Sequence, residues 1–338
     1  MAGEKTNIKV VFGCMTFGKE GAEQSRVFDL ETAQKILDTF KKHGHRELDT
    51  ARAYGGGSSE EMLKNLKVEE QGFPIATKVF PSARFPGVVG GKAYDHTRAG
   101  VQEALNESLT ALGTDKVDLY YLHAPDREVD FAETLEAIND AYKAGRFERF
   151  GISNFKVDEI EKVVQIIQEK KYPFKVSVYQ GLYNAVTRTA EPELIPTLRK
   201  HNISYYTYNP LGGGFFTGRI KSPDDVVESG SRFDANRTQG QSYRKRYYRD
   251  EYFQAIKIVS DAADKAKLSM AEVALRWMQH HSKLDRKYGD GIIIGASSLS
   301  HIEQNLVDFE KGPLPADVVK SVDEAWETVK PNAPPYHF

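Results

Sequence analysis

Cysteine is nearly absent: Cys14 is the single one in a chain of 338 residues. That excludes an intramolecular disulfide and any multi-cysteine zinc site, and it fits a reducing compartment, the cytosol. Long apolar runs are missing too. Stretches such as Ile292 to Ile294 or Leu119 to Leu122 fall far short of the roughly 18 residues needed to cross a bilayer, so no membrane partner is expected. Met1 to Lys9 carries Gly3, Glu4, Lys5, Thr6 and Asn7 where a secretory signal needs an apolar core, which predicts no cleaved leader. Charge of one sign is not in excess either. Forty-six Lys and Arg stand against 48 Asp and Glu, a net of −2, without the basic surplus that nucleic-acid binding requires. His280 and His281 lack the HExxH frame of a zinc helix, so no metal is expected, and no complete GxGxxG or Walker glycine loop supports a Rossmann or P-loop site.

What is present is the composition of a folded domain, 40% hydrophobic and 28% charged. Short β-branched or aromatic runs alternate with longer stretches of helical period, about eight pairs in all. The predicted strands are Val10 to Phe12, Glu47 to Asp49, Ile75 to Lys78, Val117 to His123, Arg149 to Ile152, Val176 to Gln180, Ser204 to Tyr208 and Ile292 to Ile294. Between them, Gly44, Gly113 and Gly145 fall where helices should stop. Continuous alternation without a shift in composition favours one α/β unit over residues 1–338, a single (β/α)8 TIM barrel, over two doubly wound domains. The eighth position is irregular. Asn209 to Asp250 forms a long loop of little periodicity, and two helices, Glu251 to Lys267 and Ser269 to His281, precede the last strand, one more than the eight-fold count needs.

In such a barrel the C-terminal ends of the strands face the active site, so polar residues that close apolar runs are informative. Asp49, Lys78 and His123 each do so, and Tyr54 follows Asp49 on a glycine-rich loop. Singly, each reads as packing, an ion pair or a core histidine. Together they form a proton-transfer set. A phenol acts as an acid near neutral pH if its anion is favoured by about three pKa units, roughly 4 kcal/mol. An ammonium about 4 Å away contributes on that order at an effective dielectric near 20, and a carboxylate would keep it charged and placed. Lys78 and Asp49 suit those roles, while a neutral His123 donates an N–H to a carbonyl oxygen and Tyr54 delivers the proton. None of these groups supplies a hydride, so a nicotinamide cofactor is implied.

With these residues the chain resembles the aldo-keto reductases over nearly its whole length, and its tetrad corresponds to Asp49, Tyr54, Lys78 and His123. The motif at 151–155 matches the one whose Ser and Asn hold the nicotinamide carboxamide, implying Ser153 and Asn154 here, with Gln180 beside them and Tyr208 stacked on the ring. Segments 179–188, 209–219, 276–282 and 297–305 are similar to the aflatoxin-aldehyde (succinic semialdehyde) reductase branch, which implies NADPH and the reduction of reactive aldehydes, dialdehydes or semialdehydes to alcohols. Asn209, Pro210, Leu211 and the glycines 212–214 follow the seventh strand, where backbone N–H groups of Gly213 and its neighbours can meet a pyrophosphate that Arg219 and Arg232 neutralise. Ser297 and Ser298 precede a helix bearing Gln304 and Asn305, whose N-terminal end suits an adenosine phosphate. Tyr243 and Arg244 match a loop that reaches substrate in the branch, and Met15 is placed as an apolar wall. Gly295 and His301 stand where many relatives carry basic residues, and the chain ends Tyr336, His337, Phe338 where mammalian members of the branch end in an Arg that holds acidic substrates. The resemblance leaves room for a homodimer. It also leaves two other readings: a cofactor-binding, non-catalytic or redox-sensing subunit, and a pyridoxal reductase or alcohol dehydrogenase on the same fold.

Overall fold

The computed structural model describes residues 5–85 and 92–337; Gly3 and Glu4 of the amino-terminal stretch, and Phe338, lie outside the described residues. Eight strands close in chain order into one parallel barrel, with the last pairing to the first. They are β1 (Lys9–Gly13), β2 (Leu48–Asp49), β3 (Ile75–Val79), β4 (Val117–Leu122), β5 (Phe147–Ser153), β6 (Val176–Leu182), β7 (Ser204–Tyr208) and β8 (Gly291–Ile294). This is the predicted (β/α)8 architecture. Alternation along the strands divides the apolar side chains into two sets. Val11, Ala76, Leu119, Tyr121, Val178, Tyr206 and Ile293 fill the barrel interior, whereas their neighbours Val10, Phe12, Tyr120 and Ile292 join the core between sheet and helices.

Helices α1 (Leu30–Lys42), α2 (Ser58–Asn65), α3 (Arg98–Leu112), α4 (Phe131–Lys143), α5 (Val157–Glu169) and α6 (Leu194–Lys200) follow β1 to β6 in turn. Local chemistry sets their limits. Asp29 caps α1 by accepting from Thr32 N–H at 2.7 Å, Glu31 and Lys41/Lys42 suit its two ends, and Ala33, Ile36, Leu37 and Phe40 make the buried stripe. Thr97 caps α3, and the three predicted stop glycines adopt left-handed φ of 91°, 72° and 70°. After β7 the long segment carries α7 (Thr238–Tyr247), a helix where the sequence showed no period, before α8 (Asp250–Ala266) and α9 (Met270–His280). Beyond β8, α10 (Leu299–Phe309) completes the eighth unit and α11 (Ala316–Val329) packs on α8.

The N-terminal mouth of the barrel is filled by ionic side chains. Lys9 meets Glu47 at 2.6 Å, Glu47 accepts from the Tyr206 hydroxyl at 2.7 Å, and Arg149 bridges to Asp118 at 2.5 Å. No described helix is long and apolar enough to cross a membrane.

Candidate active site

At the opposite rim, the four strand-end residues singled out from sequence converge. Lys78 points inward from β3 and is fully buried; its ammonium donates to Asp49 Oδ2 at 2.6 Å and to the Thr50 carbonyl at 2.7 Å. Asp49 Oδ1 accepts from Gln180 Nε2 at 2.8 Å, so the carboxylate is held from both sides. Tyr54 lies over this pair, with the Lys78 nitrogen 5.0 Å from its ring centroid. His123 stands edge-on to Tyr54, ring centroids 5.7 Å apart at 82°, and edge-on to Phe80 at 5.5 Å.

Electrostatics partly follow the expectation and partly correct it. Burial, with Lys78 and His96 adding repulsion, holds His123 well below the ordinary imidazole range, so the ring is neutral, and among the described residues its buried Nδ1 has no partner. Burial lowers Lys78 while Asp49 opposes that shift. Tyr54 runs against the sequence arithmetic: burial first, and then the Asp49 carboxylate, push its phenol well above the usual value. Desolvation and the Asp49 carboxylate together outweigh the opposing charge of Arg232. The phenol is therefore firmly neutral, which suits a proton donor to a strongly basic oxygen. Cys14, fully buried nearby, has its thiol pushed up by burial and then by Asp49, which disfavours the reactive thiolate.

The residues implied by resemblance for a cofactor fall around the same opening. Ser153 and Gln180 are register partners on β5 and β6. Asn154, at φ 65°, donates to the His123 carbonyl and to Ser153 Oγ, both at 2.9 Å, and accepts from the Tyr208 hydroxyl at 2.8 Å. Next to Tyr208, Asn209 accepts from the Tyr243 hydroxyl at 2.9 Å, while its buried Nδ2 has no partner among the described residues. A Cβ on Gly213, at φ 71°, would fall 2.1 Å from the Tyr243 ring, so only glycine allows the backbone after Pro210 and Leu211 to fold into that bend. Arg232 reaches across to Gly295, its guanidinium 6.0 Å from the Tyr243 ring centroid. Arg219, expected from sequence beside the pyrophosphate, instead meets His301 at 3.4 Å from the same long segment after β7, and His301 also contacts Ser297 at 3.1 Å. Ser298 caps α10 through His301 N–H, Gln304 is tied to Asp308, and Asn305 is buried. An orphaned amide, a glycine bend, two arginines and a capped helix N-terminus along one path fit a dinucleotide.

Among the substrate-side residues, Met15 and Tyr243 border the mouth, Met15 Sδ receiving Gln239 Nε2 at 3.6 Å. Arg244 is turned into its own loop instead, donating to the Phe233 carbonyl at 2.7 Å and lying 4.3 Å over the Tyr248 ring. Sequence reasoning missed Arg246, two positions along α7, whose guanidinium lies 5.8 Å from the Tyr243 ring with Tyr208 as a charge neighbour. It also missed Phe80, although an aromatic two residues past Lys78 at a strand end was a readable signal.

The chain is similar to known proteins over most of its length. Residues 9–327 match the aldo/keto reductase family. An aldo-keto reductase of Pseudocercospora fijiensis is 43% identical over 301 residues, 89% of this chain and 99% of that protein. One from Monascus ruber is 37% identical over 98% of both chains. Human aflatoxin B1 aldehyde reductase member 2 is 37% identical over 93% of this chain and 87% of its own. On the barrel, the converging strand ends and these relatives, the chain belongs to the aldo/keto reductase family.

Proposed function

We propose that the protein is an NADPH-dependent aldehyde reductase with Tyr54 as its proton donor. The observation that carries the proposal is one buried ammonium shared between Asp49 at 2.6 Å and the Tyr54 ring at 5.0 Å, with a neutral imidazole beside the phenol. Ser153, Asn154, Gln180 and Tyr208 would hold the nicotinamide, and Asn209 to Gly213 with Arg232 the pyrophosphate. Arg219, Ser297, Ser298, Gln304 and Asn305 would hold the adenosine end, where an arginine at a helix N-terminus favours the extra phosphate of NADPH. When bound, the cofactor supplies the hydride to the carbonyl carbon. His123, kept neutral, donates an N–H to the carbonyl oxygen and orients it. Tyr54 then gives its proton to that oxygen as negative charge develops there, and Lys78 stabilises the phenolate left behind. Small aldehydes are the proposed substrates, as the names of the aflatoxin-aldehyde relatives suggest, and the buried lone thiol suits the cytosol.

Purified protein with NADPH and 4-nitrobenzaldehyde should oxidise cofactor through many turnovers; a redox-sensing subunit would stop after about one equivalent. Tyr54→Phe should lose reduction by at least about 10²-fold, the scale of general-acid catalysis, while binding NADPH as the parent does. Unchanged turnover in that variant would overturn the assignment.

A further inference from the structure

Tyr54 is mounted on an intrinsically loose segment. It is followed by Gly55, Gly56 and Gly57, with φ of 57°, 62° and 98°, a run with little backbone stiffness of its own. The two ends of that segment are nonetheless joined. Arg52 Nη1 donates to Glu60 Oε2 at 2.5 Å, and the pair is enclosed, with side-chain exposures of 13% and 0%. The guanidinium lies against the glycine run: a Cβ at Gly57 would sit 1.6 Å from its Nη2. The second carboxylate oxygen of Glu60 accepts from Thr77 Oγ1 at 2.6 Å. Thr77 precedes Lys78 on β3 and faces outward where Lys78 faces inward, and the Arg52 backbone N–H is bonded to the Lys78 carbonyl at 3.2 Å.

We propose that Arg52 and Glu60 are positioning residues for proton delivery: their ion pair closes the 52–60 segment into a ring and ties it to β3, holding the Tyr54 phenol over Lys78. The inference rests on the assignment of Tyr54 as proton donor. A surface ion pair would do little here, but this one is enclosed, each charge depends on the other, and its carboxylate is anchored to the strand that carries the ammonium. Burial raises the Glu60 carboxyl from its ordinary value, and Arg52 is the largest opposing influence, followed by hydrogen bonds from Thr77 and Ser108 and the charge of Lys78. Neither side chain is among the residues assigned above to cofactor or aldehyde. Their loss should therefore appear in the proton step.

The test separates bracing from mere stability. Arg52→Met or Glu60→Gln alone leaves a buried charge unpaired and should lower the melting temperature; the double variant Arg52→Met/Glu60→Gln removes both charges and should regain much of it. If the pair positions Tyr54, the double variant keeps NADPH affinity, measured by fluorescence, within about twofold, yet its kcat stays about tenfold or more below the parent, within the range that an ångström of misplacement produces. The solvent deuterium isotope effect on kcat should rise as proton delivery becomes limiting. Arg52→Lys keeps the charge while removing the flat guanidinium that lies against Gly57, and should show the same raised isotope effect with a smaller fall in kcat. Parental kcat and isotope effect in either the refolded double variant or Arg52→Lys would overturn the proposal. Tyr54→Phe distinguishes the two levels: if it remains active, the assignment of the proton donor fails; if it is inactive while the double variant turns over normally, the bracing role alone fails.

Discussion

Replacing Lys78 by Met tests the electrostatic centre of the site most directly. The ammonium lies 5.0 Å from the Tyr54 ring centroid. Across that span a unit charge stabilises a phenolate by about 3 kcal/mol at an effective dielectric near 20, equivalent to about two pKa units or about 10²-fold in the proton step. This is a lower bound, because the variant also leaves Asp49 uncompensated, and that carboxylate raises the cost of a phenolate further. The assay is steady-state kcat for NADPH-linked reduction of 4-nitrobenzaldehyde, taken as a pH profile. Tyr54 stays a phenol, the form that donates, across the ordinary pH range, so the parent profile should show no limb from it, and in Lys78→Met the whole profile should drop by about 10²-fold or more. Lys78→Met/Asp49→Asn removes the stranded carboxylate and should recover thermal stability without recovering the rate. A kcat within about threefold of the parent, with folding and cofactor affinity intact, would refute the role given to the ammonium.

Two further outcomes follow from the charges around the rim. His96 is buried and hydrogen-bonded, and burial lowers its pKa from 6.5 to about 4 against the pull of Asp126. The unfolded chain therefore takes up a proton that the folded chain refuses, so this contribution to stability is present above about pH 6.5 and declines towards pH 4, by about 3 kcal/mol in total. Urea unfolding at pH 7 and pH 5 should show His96→Gln losing about 2 kcal/mol less than the parent, and equal losses would refute the assignment. Arg246 faces Tyr208 and Tyr243 without a carboxylate partner among the described residues. Arg246→Gln should raise KM for a carboxylate-bearing aldehyde about tenfold, the scale of one charge-assisted hydrogen bond, and leave a neutral aldehyde within about twofold; a common shift for both would refute selectivity at this position.

The barrel was legible because parallel strands buried on both faces read as short unbroken apolar runs, and the convergence of Asp49, Tyr54, Lys78 and His123 was legible because polar residues that close such runs all fall at one rim of the barrel. Helix α7 was not. Its sequence, Thr238 to Tyr247, is mostly polar, and its N-terminal N–H at Gln239 is capped by Glu23 at 3.0 Å from the loop after β1, more than two hundred residues earlier in the chain. A tertiary cap leaves no local signature. The choice between Arg244 and Arg246 was hidden for the same reason: two positions on a helix turn a side chain by roughly half a circle, and that register is set by Tyr247 packing on Phe215, not by anything in the motif. The direction of the Tyr54 shift was missed because counting charges from sequence includes Lys78 but not desolvation.

That last correction bears on how the site works. Lys78 and Asp49 form a closed pair, with Gln180 and the Thr50 carbonyl completing their hydrogen bonds, and the groups above them, Tyr54 and His123, are both held neutral. Before reaction the four residues at the bottom of the opening therefore carry no net charge, the ammonium of Lys78 being matched by Asp49. On the proposed mechanism the first charge to appear would be the one created on the carbonyl oxygen, and it would pass to Tyr54 within reach of Lys78. A phenol brought near neutral pKa would be partly ionised at rest, and that fraction would have no proton to give. One kept neutral by burial retains it until a stronger base forms, so the ammonium acts on the product of the transfer more than on the resting acid, which is where stabilisation accelerates a reaction.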